Sequence, residues 1–193
     1  MVKLTGYKKV KTAVFISGTG SNLRSLIKFS KTNRSPISID LIISNNPKAK
    51  GLGYAKIPNI KKIVFDFNKK SQSETELISI LKRYDIKMIF LAGFMKILSK
   101  DFIKKFRGKI LNIHPSLLPK YKGLNTHQRA LDANEKYSGC TVHFVSSKLD
   151  SGKIILQKKV KISKNETKDT LAKKVLVQEH KLYPEAILKV FNL

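Results

Sequence analysis

Residues 10–27 read Val-Lys-Thr-Ala-Val-Phe-Ile-Ser-Gly-Thr-Gly-Ser-Asn-Leu-Arg-Ser-Leu-Ile. Seven residues rich in β-branched and aromatic side chains run into a glycine turn, and helical spacing begins directly after it. A strand, a tight turn and a helix in that order open an α/β layer architecture. The same alternation continues along the chain. Further strands are expected at 37–43, 61–65, 87–91, 109–113, 141–145 and 154–162, and helices at 22–32, 48–55, 71–84, 100–106, 125–134 and 168–190. In the 71–84 segment Leu77, Ile78, Leu81 and Tyr84 recur at three- and four-residue spacing, with Glu74, Glu76, Lys82 and Arg83 between them. That pattern gives one buried face and one wet face. Beyond residue 110 the rhythm changes to strand, proline-rich loop, helix, two closely spaced strands and a closing helix, so the seven-stranded sheet is expected to be mostly parallel and mixed at that end.

At 193 residues, 41% of them hydrophobic, the chain is sized for one domain, assigned to 1–193 with residues 1–9 as a flexible lead-in. No run approaches the roughly 18 apolar residues of a membrane span, and the basic start lacks the apolar core of a secretory signal. The lone Cys140 excludes an internal disulfide framework and a cysteine-cluster metal site, which fits a reducing cytoplasm. The formal charge of +26 invites a nucleic-acid reading. Against it, arginine supplies only Arg24, Arg34, Arg83, Arg107 and Arg129, and the lysines are spread along the chain without interleaved aromatics. A solvated, lysine-biased surface accounts for the charge, and its field would still draw anionic small molecules.

The turn Ser17-Gly18-Thr19-Gly20-Ser21-Asn22 before a helix can cradle a phosphate on free backbone N–H groups. Leu23 stands where a dinucleotide fingerprint needs its third glycine, and Asp40 falls inside the second strand. A plain tight turn, a mononucleotide or sugar-phosphate site, and a dinucleotide site all remain open on these residues.

A second signal is Leu111-Asn112-Ile113-His114-Pro115-Ser116-Leu117-Leu118-Pro119. Strand alternation turns Asn112 and His114 to one face and Leu111 and Ile113 to the other, and Pro115 ends the strand. An amide donor beside an imidazole at a strand end can polarise a carbonyl, hold an oxyanion and shuttle a proton, or can be two satisfied polar residues. Asp150, in the polar loop 146–152, is the carboxylate that could orient or charge the histidine, or simply form a turn. His143 reads as a core histidine in preference to a supporting residue, and His127 carries a weaker signal. No zinc spacing, HExxH pattern or serine-hydrolase elbow is present, so the chemistry is expected to need no metal.

With these motifs in order, joined by Leu91-Ala92-Gly93-Phe94-Met95-Lys96-Ile97-Leu98, Gly123-Leu124-Asn125-Thr126-His127, Thr141-Val142-His143-Phe144-Val145 with Leu149-Asp150-Ser151-Gly152, and Gln178-Glu179-His180, the chain resembles the folate-dependent phosphoribosylglycinamide formyltransferases over residues 10–191. The resemblance implies a Rossmann-like domain that moves a formyl group from 10-formyltetrahydrofolate, a cosubstrate, to the amine of glycinamide ribonucleotide in purine synthesis. It implies that Gly20, Ser21 and Asn22 hold the ribonucleotide phosphate and that Glu179 contacts the sugar end. Asn112 and His114 would stabilise a tetrahedral oxyanion, His114 would move a proton, and Asp150 would favour the imidazolium. Met95, Lys96, Ile97 and Leu98 would line the folate pocket together with Asn112 and the loop 145–150. Relatives carry a basic residue, often arginine, on the folate's glutamate tail; Lys70 aligns there, keeping the charge and losing the fork. Some relatives carry histidine where Asn125 stands.

The expected partners are these two anionic small molecules, with neither membrane nor nucleic acid, and the chain acting as monomer or homodimer. Among competing readings, a methionyl-tRNA formyltransferase would share Asn112, His114 and Asp150 but needs a tRNA-binding domain for which no residues remain. A formyltetrahydrofolate hydrolase ordinarily carries a regulatory domain in front, whereas the first strand here starts at Val10. A basic nucleic-acid-binding module would show a salt-steep affinity.

Overall fold

The computed structural model describes residues 8–67 and 70–193, so the expected lead-in falls outside the described residues except at Lys8 and Lys9. The chain divides into two compact units, one ending at Leu111 and the other running Asn112–Leu193. In the first, the elements are β1 (Val10–Ile16), α1 (Ser21–Ser30), β2 (Ile37–Ser44), a 3₁₀ segment (Lys50–Lys56), β3 (Lys61–Val64), α2 (Lys70–Arg83), β4 (Met88–Leu91), α3 (Lys100–Lys105) and the start of β5 (Lys109–His114). In the second, the end of β5 is followed by α4 (Thr126–Asp132), β6 (Tyr137–Phe144), β7 (Ile154–Lys161) and α5 (Lys168–Val190). The strand order is β3-β2-β1-β4-β5-β6-β7. β1 pairs parallel with β2 and β4, and β2 with β3, while β6 and β7 are antiparallel, which makes the sheet mixed at the expected end.

Within the first unit β1 is central, and Ala13, Val14, Phe15 and Ile16 are wholly buried. A parallel strand covered on both faces needs such an uninterrupted apolar run, and for that reason the run does not alternate. Leu23 and Leu26 of α1 and Leu77 and Leu81 of α2 complete this core. The chain builds β2 and β3 on one side of β1 and then returns to place β4 on the other. That reversal makes the carboxyl ends of β1 and β4 a topological switch point, the place where open α/β sheets take their ligands.

Three local expectations change. The helix expected at 48–55 is a 3₁₀ segment over Lys50–Lys56, where Gly51 and Gly53 both disfavour a regular α-helix and Gly51 lies against Gly20. β6 begins at Tyr137, not 141; Ser138 and Gly139 have weak strand preference, and pairing with β7 decides the matter. Glu74, read as part of the wet face of α2, is buried and accepts hydrogen bonds from the Ser99 N–H, at 2.9 Å, and the Ser99 hydroxyl.

Candidate active site

At the head of α1 the chain turns through Gly20, which has φ +75°. A side chain there would be strained, and its Cβ would come within 2.8 Å of the Gly51 Cα. A Cβ on Gly51 would in turn meet the Ile16 Cδ1 at 2.5 Å and the Gly20 Cα at 3.1 Å. The two glycines therefore let two backbones touch, and the Gly51 N–H donates to the Gly18 carbonyl at 3.1 Å. No side chain caps α1, its first turn holds no acidic residue, and its first intrahelical donor is the Arg24 N–H. Gly20, Ser21 and Asn22 thus sit where the positive end of the helix dipole meets the turn, an arrangement suited to an anion. Of the contributing residues, sequence reasoning missed Gly51; a glycine in a presumed helix carried no sign of its partner.

Ser17 joins this turn to the loop after β4. Its Oγ accepts from the Met95 N–H at 2.8 Å and donates to Asn45 Oδ1 at 2.5 Å, while the Ser17 N–H donates to the Gly93 carbonyl at 3.0 Å. Met95 and Ile97 are 63% and 62% exposed, Lys96 is exposed, and Leu98 is buried in the core. Two large apolar side chains left in water beside a polar turn form a surface able to cover a flat, partly apolar ligand. Lys70 begins α2, and its side chain lies outside the described residues.

In the second unit the strand-end pair meets its carboxylate. His114 and Asp150 side chains are 7% and 8% exposed, with Nδ1 and Oδ2 3.4 Å apart. Asn112 Nδ2 lies 3.5 Å from Asp150 Oδ1, so Asn112 and His114 do share a face. Asp150 itself has φ +44° in the loop between β6 and β7. That loop closes tightly enough that a Cβ on Gly152 would stand 1.7 Å from the Phe144 carbonyl oxygen. Asp150 also accepts the Gly123 N–H on Oδ2 at 2.9 Å.

His143 belongs to the same cluster, although the sequence favoured a core role for it. Its Nδ1 is 2.8 Å from the Phe144 carbonyl, which can only accept, so Nδ1 carries the proton. Its Nε2 lies 3.2 Å from Asn112 Nδ2 and 3.7 Å from Asp150 Oδ1. The signal available in sequence was alternation on β6, which turns His143 to the same face as Thr141. Glu179, on α5, is buried within electrostatic reach of Cys140; burial first and Glu179 second push that thiol up to about 12.

His114 has acceptors on both ring nitrogens, the Tyr121 carbonyl at 2.9 Å from Nε2 and Asp150 beside Nδ1. Only the imidazolium would satisfy both. Burial nevertheless holds its pKa below the ordinary value, outweighing the upward pull of the Tyr121 carbonyl and of Asp150. For Asp150, burial pushes upward, but the His143 ring, the Gly123 N–H and the His114 ring together hold the carboxyl below its usual value. A carboxylate that stays ionised beside a buried imidazole can support proton transfer and charge stabilisation at a carbonyl. No group of side chains among the described residues is arranged to hold a metal ion, and no helix among them is long and apolar enough to cross a membrane.

Residues 10–187 match the family described as Formyl transferase. The chain is 42% identical over 183 residues to the trifunctional purine biosynthetic protein adenosine-3 of Homo sapiens, covering 93% of this chain and 18% of that protein. It thus spans less than a fifth of that relative's length. It is also 42% identical to the phosphoribosylglycinamide formyltransferase of Haemophilus influenzae, covering 92% of this chain and 85% of the relative. The crystal structure of phosphoribosylglycinamide formyltransferase from Brucella melitensis superposes with a TM-score of 0.88 at 43% identity, covering 95% of this chain and 96% of that one.

Proposed function

The chain belongs to the formyl transferase family and, within it, to the phosphoribosylglycinamide formyltransferases, and from that premise we propose that it transfers a formyl group from 10-formyltetrahydrofolate to the amine of glycinamide ribonucleotide in purine synthesis. The observation that carries this reading is the convergence of Asn112, His114 and Asp150, an amide, an imidazole and a carboxylate, at the end of one strand. The folate supplies the formyl carbon and a departing nitrogen.

Transfer forms one C–N bond to the amine and breaks one to the folate, while the amine gives up the proton that the departing nitrogen takes. Asn112 donates to the formyl oxygen as negative charge gathers there; its long 3.5 Å contact to Asp150 is the bond given up for it, while the 3.2 Å bond to His143 keeps the amide oriented. His114 stabilises the same charge and carries the proton between the two nitrogens. Asp150 makes the protonated ring affordable in a buried place. Gly20, Ser21 and Asn22 hold the ribonucleotide phosphate and Glu179 contacts its sugar. Met95, Lys96 and Ile97 cover the folate, with Leu98 supporting them from the core and Lys70 meeting the glutamate tail. The lone buried Cys140 fits a reaction carried out in the cytoplasm.

The deciding experiment is a spectroscopic formyl-transfer assay with purified protein, 10-formyl folate donor and ribonucleotide, beside a reaction without the ribonucleotide. Turnover that requires the ribonucleotide is expected. Donor breakdown without it would overturn the reading in favour of a hydrolase. The cradle has its own test. In Gly51→Ala the new Cβ must push Ile16 or the turn at Gly20, so the ribonucleotide affinity measured by calorimetry should fall about tenfold, the equivalent of one weakened phosphate contact. Unchanged affinity would remove the phosphate from this turn.

A further inference from the structure

The loop that serves both His114 and Asp150 is held from outside the cluster. Tyr121, Gly123 and Asn125 have φ of +56°, +76° and +57°. A tyrosine in that region is a strained choice, and strained conformations persist only where the surroundings enforce them. Arg129, on α4, lies against this loop. Side chains on a helix lean toward its N-terminus, so Arg129 reaches back over the first turn. Its Nη1 donates to the Lys122 carbonyl at 2.7 Å and to the Leu124 carbonyl at 3.3 Å, and its guanidinium lies over the Tyr121 ring, 5.3 Å from the centroid. From the other side the Tyr121 hydroxyl donates to Glu135 Oε1 at 2.8 Å, and Lys120 pairs with the same oxygen at 2.6 Å.

We propose that Arg129 is a positioning residue for the transfer reaction, clamping residues 121–124 so that the Tyr121 carbonyl and the Gly123 N–H stay set against His114 and Asp150. The inference rests on the functional reading above and adds to it a residue that acts through the loop. Loop backbone, not side chain, supplies both contacts, at 2.9 Å to His114 Nε2 and 2.9 Å to Asp150 Oδ2. A planar fork with several donors and a flat face suits two carbonyls and one ring at once; a lysine ammonium cannot match it.

Arg129→Lys therefore removes the clamp and keeps the charge. Keeping it matters because the charged or titratable groups facing His114 are Asp150, His143, Arg129 and His127, and the Arg129 charge itself holds the His114 pKa down. In the full chain without substrates, the Gly123 amide is expected to exchange with solvent about tenfold faster, as a loosened local contact does. The His114 titration followed by NMR should move to lower pH, since the Tyr121 carbonyl raises it. With substrates, kcat should fall about tenfold and both KM values should stay within about twofold, the pattern of a misplaced catalytic group. Wild-type exchange at Gly123 would overturn the clamp whatever the rate, and a wild-type kcat with faster exchange would overturn its part in the reaction. If the native protein transfers no formyl group, the functional reading fails, while exchange and titration still decide whether Arg129 holds the loop.

Discussion

Replacing His114 by alanine is expected to lower turnover about 10³-fold, within the range found when a proton-transfer group or an oxyanion donor is deleted. The variant loses both roles at once, since one ring faces Asp150 with Nδ1 and carries its exchangeable proton on Nε2 toward the Tyr121 carbonyl. Affinity for the ribonucleotide should stay within about threefold, because the phosphate is assigned to the head of α1 and binding there contributes to ground and transition states alike. Folding should survive. The deletion leaves the Tyr121 carbonyl without its donor, a cost of about 1–3 kcal/mol, and relieves the burial of a ring that its surroundings already hold toward the neutral form. Initial rates at saturating substrates, calorimetric titration with ribonucleotide and a thermal melt separate these effects. Turnover within tenfold of the native protein would remove His114 from the chemistry.

Much of the arrangement was legible in the sequence because its signals are local. The apolar run Ala13-Val14-Phe15-Ile16 marks a strand segment covered on both faces, and all four residues are fully buried. Period-two alternation was enough to put Asn112 and His114 on one face, and loop composition was enough to single out Asp150. What stayed hidden acts through space or through backbone. Gly51 matters only because Gly20 comes to rest on it, and no spacing rule links position 20 to position 51. Tyr121 and Gly123 contribute a carbonyl and an N–H, groups that every residue but proline offers, so their identities carry no chemical label. Within α2 alone Glu74 has the spacing of a solvated face, and the Ser99 N–H that meets its carboxylate belongs to the start of another helix. His143 was ambiguous for the same reason: a histidine on a buried strand is a core residue until the amide and carboxylate around it are known.

Asp150→Asn keeps the size of the side chain and removes its charge, so it isolates electrostatics from packing. Turnover is expected to fall about 10²-fold, because the imidazolium of His114 loses the carboxylate that favours it and the new amide presents a donor toward the Asn112 amide. The pH dependence gives the sharper result. Asp150 raises the His114 pKa against the larger effect of burial, so removing it must lower that pKa further and carry the limb of the rate profile that follows His114 to more acidic pH. Stability should report the same change with definite signs. The carboxyl of Asp150 is held below its ordinary 3.8 in the folded protein, so its contribution is complete above that pH and is lost as pH falls through the folded value; the variant has nothing to lose there, and its acid unfolding should be shallower. His114 is held below its ordinary 6.5, so stability falls as pH drops from 6.5 through the folded value, and the variant should lose more over that window because its ring resists protonation longer. Urea unfolding at a series of pH values from 8 to 3 measures both windows in one experiment. A variant whose rate limb stays in place, or whose loss of stability over the His114 window alone, above the carboxyl range, matches that of the native protein, would show that Asp150 does not act on the charge of His114.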